Sequence, residues 1–460
     1  MDKGIKRDIK IFLLNFSRSI NLFIWVLLIT IMPPVFLTEK SEKERTQKLS
    51  IKEGSATSVM FGFGSEYITP FALALKSNNF QIGVLNSLSG LFSPLFQIYG
   101  SKLMEKYSRK KIIVMFVALQ ALIWLPMAAL SLLFWKNIFL IYLPWFLVFF
   151  YALYSILGSL AGPAWFSLMG DIVPEKIRGR YFGKRNKICG IAVISSTLIA
   201  SFFLDLFKTH GMVLLGFSIL FSLAFIFRLI SANYFTKHYD PKFKLKKDNS
   251  ITLLNFIKKS PKNNFGKFTI LIALFQMAVN VGSIFFSVYM LKSLNFSYLT
   301  FILVTISVSV FSLLFMPMWG KFSDKYGNKE IIKIGSILLG IMPILWIFSS
   351  NPVYLILVPQ LISGIGSAAF DLGTNNFIYD SVSRQNRPWY NSYYSILVGF
   401  GIFIGSNIGG LLAQYLSFEF LNIFLFLFVL SGIMRLIISG IIIMKVKEVR
   451  IIKNRFLRIN

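Results

Sequence analysis

The chain has 460 residues, 55% of them hydrophobic and only 15% charged, with a mean hydropathy of +0.67. Soluble domains carry about 25% charged residues, so this chain cannot cover itself with polar surface, and a water-soluble globular fold is excluded. The net charge of +29 would suit a nucleic-acid partner if the basic residues sat on a soluble domain, and their distribution argues against one.

In chain order, residues 1–49 are an N-terminal extension holding one apolar stretch, "SINLFIWVLLITIMPPVFL" at 19–37. It is apolar enough to span, while Arg18, Pro33, Pro34 and the charged run 39–53 suit an interfacial helix; the sequence leaves both readings open. Twelve apolar segments follow, starting near residues 53, 80, 111, 138, 181, 211, 266, 297, 331, 353, 391 and 418. The runs 112–135 and 138–170 exceed the roughly 18 residues that signal a membrane span. The expected fold is an all-α integral membrane protein with twelve transmembrane helices.

Alternate gaps between these segments differ sharply in charge. The loops at 100–111, 171–187, 237–267, 320–333 and 380–390, with the tail 445–460, hold 32 Lys and Arg. The opposite set holds 4: Lys76, Lys136, Lys208 and Lys292. By the positive-inside rule, the long central loop, the C-terminus and the start of the twelve-helix body are cytoplasmic. The basic excess then marks topology and contact with anionic lipid headgroups. One cysteine and two histidines exclude a disulfide framework and a Cys/His metal site, and no cofactor is expected.

Four features recur in the same order. "LKSNNF" (75–80) returns as "LKSLNF" (291–296), and "SKLMEKYSRK" (101–110) as "GKFSDKYGNK" (320–329). Asp171 and Arg178 are echoed by Asp380 and Arg387, and "RLIS" (228–231) by "RLIIS" (435–439). Offsets of 216, 219, 209 and 207 indicate an internal duplication. The halves are 50–236 and 264–445, joined by a basic cytoplasmic linker 237–263 and followed by a basic tail 446–460. Each half has six segments starting on one side, which makes the repeat parallel. Such arrays bind substrate near the midplane between the halves.

The duplicated knots, S-x-L-x-E-K-x-S-R-K and G-x-F-x-D-K-x-G-N-K, resemble the signature loops of the major facilitator superfamily, and "GDIVPEKIRGRYFGKRN" (170–186) resembles its loop after helix 4. Ser101 and Ser108 stand where glycine is usual, Glu105 where aspartate is, and Asn328 where a basic residue is. The resemblance covers about residues 50–445 and implies a secondary transporter whose helices 1, 4, 7 and 10 line a central cavity. At the cytoplasmic rim, Glu105, Lys106, Arg109, Asp171, Arg178, Asp324, Lys325, Asp380 and Arg387 are the candidate gate. The acids can pair with bases or accept N–H bonds from a helix start, and the competing reading is plain topology charge.

Within the membrane the sequence places two acids, Glu66 and Asp371. Intramembrane acids usually face a wet cavity and serve function. Gln276 with Asn280 and Asp371 with Asn375 are i,i+4 polar pairs on the seventh and tenth segments, and Trp165 beside Pro163 suits ligand stacking on the fourth. Each has a structural alternative: a bonded buried acid, a packed ring, amides joining helices. Arg228 and Arg435, at equivalent places, are expected to snorkel to the inner face. That leaves a cavity with two acids and no base, which argues against an anionic substrate and for a cation, for proton coupling, or for both. The leading reading is a proton-coupled secondary transporter working by alternating access as a monomer in the plasma membrane. The alternatives are a transporter-like sensor and an integral-membrane transferase. No Walker-type loop appears, and the chain is not expected to be an enzyme.

Overall fold

The computed structural model describes residues 39–174, 177–241, 253–382, 387–416 and 422–449, and only the backbone at 178, 179 and 387–389. The apolar stretch 19–37, the middle of the linker, the tail beyond Val449, and the side chains of Arg178 and Arg387 lie outside the described residues.

Twelve spans account for nearly all of it. α1 runs in three pieces: Glu39–Phe63, a 3-10 turn Ser65–Tyr67, and Ile68–Ala74. Then come α2 (Asn79–Leu103), α3 (Arg109–Trp135), α4 (Leu143–Ile172), α5 (Arg178–Thr209) and α6 (Val213–Thr236). The short helix Leu253–Lys259 lies in the linker. The second half has α7 (Asn264–Ser293), α8 (Tyr298–Tyr326), α9 (Asn328–Ile347), α10 (Pro352–Ser381), α11 (Arg387–Tyr415) and α12 (Ile423–Lys445). Ten of these are long and apolar enough by themselves to cross a membrane. The exceptions are α1, which is broken and charged at its start, and α2, which is rich in Asn, Ser, Gln and Gly.

The helix that carries the first apolar segment, expected to start near residue 53, is described from Glu39 onward. The run 39–53 is helical because it is built of good helix formers, with Glu39 and Lys43 paired one turn apart at 2.9 Å. Its far side is tied down: the Gln47 amide donates to the Ile172 carbonyl and the Tyr181 hydroxyl donates to the Gln47 carbonyl.

The two halves pack by one plan. In the first, α1 packs on α5 and α6, α3 on α4 and α6, and α2 on α4. Adding six to each number gives the pairs of the second half, as a duplicated six-helix bundle requires. α1 and α7 also break at equivalent places, after Phe63 and after Gly282.

The core divides unevenly along the membrane normal. Opposite the basic loops a single apolar cluster runs through both bundles, for example Phe71 to Phe217 (5.2 Å between ring centres) to Tyr298 (5.9 Å). At the basic end there are separate clusters, one around Ile112, Leu168 and Phe235 and another around Phe268, Phe377 and Tyr393. The bundles are therefore fused at one end and parted at the other, except along α2 and α11, where Leu95 and Ile98 of α2 still reach the second cluster.

Close backbone approach holds α11 in place. A Cβ on Gly401, Gly405 or Gly409 would stand 2.1, 2.1 and 2.2 Å from the carbonyl oxygens of Ala273, Met277 and Val281 on α7. Small residues one turn apart are how membrane helices gain contact without a hydrophobic drive. Gly405→Ala should therefore destabilise the folded protein by about 1–3 kcal/mol through overpacking. Gly440→Ala, on α12 where a Cβ meets nothing within 4 Å, should leave the detergent melting temperature unchanged, and equal melting of the two variants would refute this seam.

Candidate functional site

Glu66 sits in the 3-10 turn that interrupts α1. Gly64 permits the turn to press on Trp124, since a Cβ there would lie 2.4 Å from the indole. Ser65 shares a hydrogen bond with the Tyr154 hydroxyl (3.2 Å), and the Tyr67 hydroxyl donates to the Thr197 carbonyl (2.6 Å). These contacts fix the turn on both sides of Glu66. The Glu66 side chain is exposed. The long first piece of α1 packs against α5 and α6.

On α10, Asp371 and Asn375 are both exposed, one turn apart, while Gly364, Gly366 and Gly373 press the opposite faces against α8 and α9. Gln276 is half-buried. Asn280 is buried, donates to the Gln276 carbonyl (2.8 Å), and accepts from Asn86 of α2 (3.2 Å). Asn86 also donates to Ser406 of α11 (3.0 Å), so Asn280 belongs to a polar knot joining the bundles.

Sequence reasoning missed Glu53, the last residue of the charged run 39–53. It is 4% exposed and takes 3.2 Å from an Arg185 guanidinium that is 13% exposed. Arg185 also reaches Ser50, and Thr57 donates to Glu53 at 2.9 Å. Arg228 of α6 donates to Thr57 (2.9 Å) and to Gln120 of α3 (2.9 Å), and Gln120 donates to the Tyr154 carbonyl. Two cations and one carboxylate are thus satisfied in one network across α1, α3, α4, α5 and α6. An arginine inside an apolar segment with no acid of its own was the signal available.

Two expectations are corrected by this network. Arg228 and Arg435 do not snorkel: they are 8% and 1% exposed. Arg435 donates to the carbonyls of Leu339 and Val279 (2.8 and 3.1 Å), because inward carbonyls are nearer than the helix end. Nor does Arg185 lie in the basic loop 171–187 where the sequence reading counted it. α5 begins at Arg178, so Arg185 enters the bundle two turns later and lays its guanidinium 4.8 Å from the Trp165 ring centre. Trp165 accordingly carries a cation on its face.

At the basic end, the ties hold within each bundle. Buried Arg109 donates to Asp171 (2.6 Å), Asp240 (3.1 Å) and Ser167 (3.1 Å), and Asp240 accepts the backbone N–H of Lys110 (3.0 Å). The second half repeats this with an amide in place of the guanidinium: Asn328 donates to Asp380 (2.7 Å), and Glu448 accepts the N–H of Lys329 (2.7 Å). The acids on these helix starts are Asp240 and Glu448, which the motif reading did not include. Glu105, Lys106, Asp324 and Lys325 are all exposed.

This is a multi-pass, all-helical membrane protein of two pseudo-symmetric bundles with ionisable groups between them. The family model for the Major Facilitator Superfamily matches residues 14–304 and 268–454, and the chain belongs to that superfamily, a family of transporters rather than enzymes. It is 32% identical over 140 residues to quinolone resistance protein NorB of Staphylococcus aureus, covering 30% of each chain. It is 28% identical over 106 residues to multidrug resistance protein 1 of Bacillus subtilis, covering 23% of this chain and 27% of that one. The matched stretches span less than a third of these relatives. A crystal structure of a mutant of the nucleoside transporter NupG shares the fold, with a TM-score of 0.67 at 17% identity over 87% of this chain and 100% of that one.

His238, just beyond α6, offers a pH test of the basic end. It is 2% exposed, and its Nδ1 can only donate to the Tyr234 carbonyl at 2.8 Å, leaving Nε2 a buried acceptor without a partner. Burial, with Lys110 and Arg185 nearby, lowers its pKa to about 4, against about 6.5 when unfolded. Above that value it costs nothing. As pH falls from 6.5 toward 4 the unfolded chain takes a proton the native state refuses, and stability drops by up to about 3 kcal/mol. The melting temperature should fall less between pH 7 and pH 5 in His238→Gln than in the wild type, and parallel falls would refute this.

Proposed function

We propose that the chain is a secondary active transporter that moves a small organic molecule by alternating access, coupled to protons. The carrying observation is the uneven core, fused at one end and parted at the other around acid-bearing faces of α1 and α10. The charge asymmetry supports placing the basic end in the cytoplasm of a cell membrane. This conformation is then the inward-open one, and rocking the bundles would close the basic end and part the other.

Glu66 and Asp371 are the proposed ligand acids, with Asn375 and Gln276 beside them. Trp165, held by Arg185, forms part of the wall. Glu53 is the proposed coupling acid because its cation partner lies at the cavity wall. Protonating Glu53 would release Arg185, and losing the proton would recapture it. The pair thus converts a proton into a change of position. The knots, with Glu105, Lys106, Arg109, Asp171, Arg178, Asp324, Lys325, Asp380 and Arg387, are the proposed cytoplasmic gate. The within-bundle ties of Arg109 and Asn328 would keep each half rigid as it opens and closes.

Two exposed acids in a low-dielectric setting favour cationic or amphipathic compounds, and the names of the multidrug and quinolone resistance relatives support that class and an export direction. The proposed working unit is the monomer, with anionic lipid headgroups against its basic loops.

The test separates the acids in proteoliposomes carrying an imposed pH gradient, with a fluorescent organic cation as probe. Glu66→Gln should weaken probe binding roughly tenfold or more, as expected for a lost charge pairing in a partly dry site. Glu53→Gln should still bind and exchange the probe across the membrane, yet no longer concentrate it against the gradient. Should sugars or other neutral compounds raise the melting temperature, and Glu66→Gln respond equally, the cationic-substrate assignment falls.

A further inference from the structure

We propose that Asp205 is the latch that holds the two bundles shut at the end opposite the basic loops, and that opening that end requires its release from the first turn of α8. The proposal rests on the alternating-access reading.

Asp205 lies near the end of α5, in the first bundle, half-buried. Its Oδ1 accepts the backbone N–H of Tyr298 at 2.8 Å and its Oδ2 that of Leu299 at 2.9 Å. Both belong to α8, in the second bundle. The carboxylate therefore meets two unpaired donors and the positive end of a helix dipole together, a charge-assisted contact made across the boundary that must part. The next two donors of α8 are satisfied locally, Thr300 by the Ser297 hydroxyl and Phe301 by the Ser297 carbonyl. The start of α8 is complete only while Asp205 is in place. Around the contact, Tyr298 packs against Phe217 and lies 5.6 Å beneath Lys208.

The equivalent seam in the pseudo-symmetric fold is built otherwise, which separates a latch from routine capping. α2, the counterpart of α8, satisfies its own first turn with a capping box between Asn78 and Gln81. Its contact with α11 there is neutral, an Asn79 amide donating to the Ala413 carbonyl at 2.8 Å. One seam thus carries a charge that must be given up on opening, and the other does not. Losing Asp205 tilts the equilibrium toward the state open at that end.

The experiment measures distances by pulsed dipolar spectroscopy in the full chain reconstituted into liposomes, in a Cys189→Ser background. One label pair, Lys136→Cys with Ser350→Cys, spans the bundles at the latched end. The other, Lys111→Cys with Lys333→Cys, spans them at the basic end. Asp205→Asn should raise the population with a lengthened Lys136–Ser350 distance by about tenfold, the order of a lost pair of charge-assisted bonds. The Lys111–Lys333 distance should contract in the same fraction of molecules, which mere fraying of α8 would not produce. Asp205→Glu, whose longer arm keeps the charge but strains the paired geometry, should fall between Asp205→Asn and the wild type. If Asp205→Asn does not fold, Asp205→Glu carries the test, and no lengthening there overturns the proposal. Lengthening at the latched end without contraction at the basic end also overturns it. Unchanged distances in a normally melting Asp205→Asn, while the wild type shifts both pairs on adding the cation probe or a pH gradient, overturn the latch and leave alternating access standing. Distances that never move in any sample overturn both.

Discussion

A bilayer core offers no hydrogen-bond partner, so a polar group placed inside this protein is costly unless another part of the protein satisfies it. That constraint accounts for how the bundles are knit. Arg435 takes carbonyls of α7 and α9, and Arg228 takes Gln120 and Thr57. Asn86 reaches α7 and α11 together. None of these groups can be withdrawn singly without stranding a donor or acceptor. The ties of Arg228 and Arg435 each lie within one bundle, whereas that of Asn86 crosses between the two, so the proposed rocking would have to leave the Asn86 knot intact or exchange its partners.

The halves share a plan and differ in charge. Arg109 and Asn328 occupy corresponding helix starts and both hold the acid at the end of the fourth helix of their half. Asp240 and Glu448 cap those starts alike. Yet the first half uses a guanidinium where the second uses an amide, and among the described residues Arg228 joins a network that includes Glu53 while Arg435 is held by backbone carbonyls. On the proposed mechanism the first bundle would be the one that responds to protons, and the second, with its α7–α11 backbone seam, would serve as the stiff partner.

Much of the architecture was legible because it depends on composition along the chain. Span length, loop charge and the repeated knots are local signals, and the bilayer amplifies them. Glu66 and Asp371 could be found because each lies in an apolar neighbourhood. Glu53 could not, because it follows a charged run and its burial comes from Arg185 and Ser231, more than a hundred residues away. Arg185 was hidden for the same reason: it reads as one of a string of loop bases, and the inward start of α5 is what carries it beneath Trp165. The helical extension from Glu39 to Glu53 was masked by charges that in a soluble protein would mark a loop.

The buried ion network has an electrical consequence. Arg185, Arg228 and Arg435 lie within the spans with Glu53, while Glu66 and Asp371 are exposed. On the proposed mechanism, each proton or cationic ligand taken up adds one positive charge to the loaded form relative to the empty one. A charge carried across the whole membrane is worth about 2.3 kcal/mol per 100 mV, so a resting voltage would bias the loaded step and the return step differently by that amount for each charge carried.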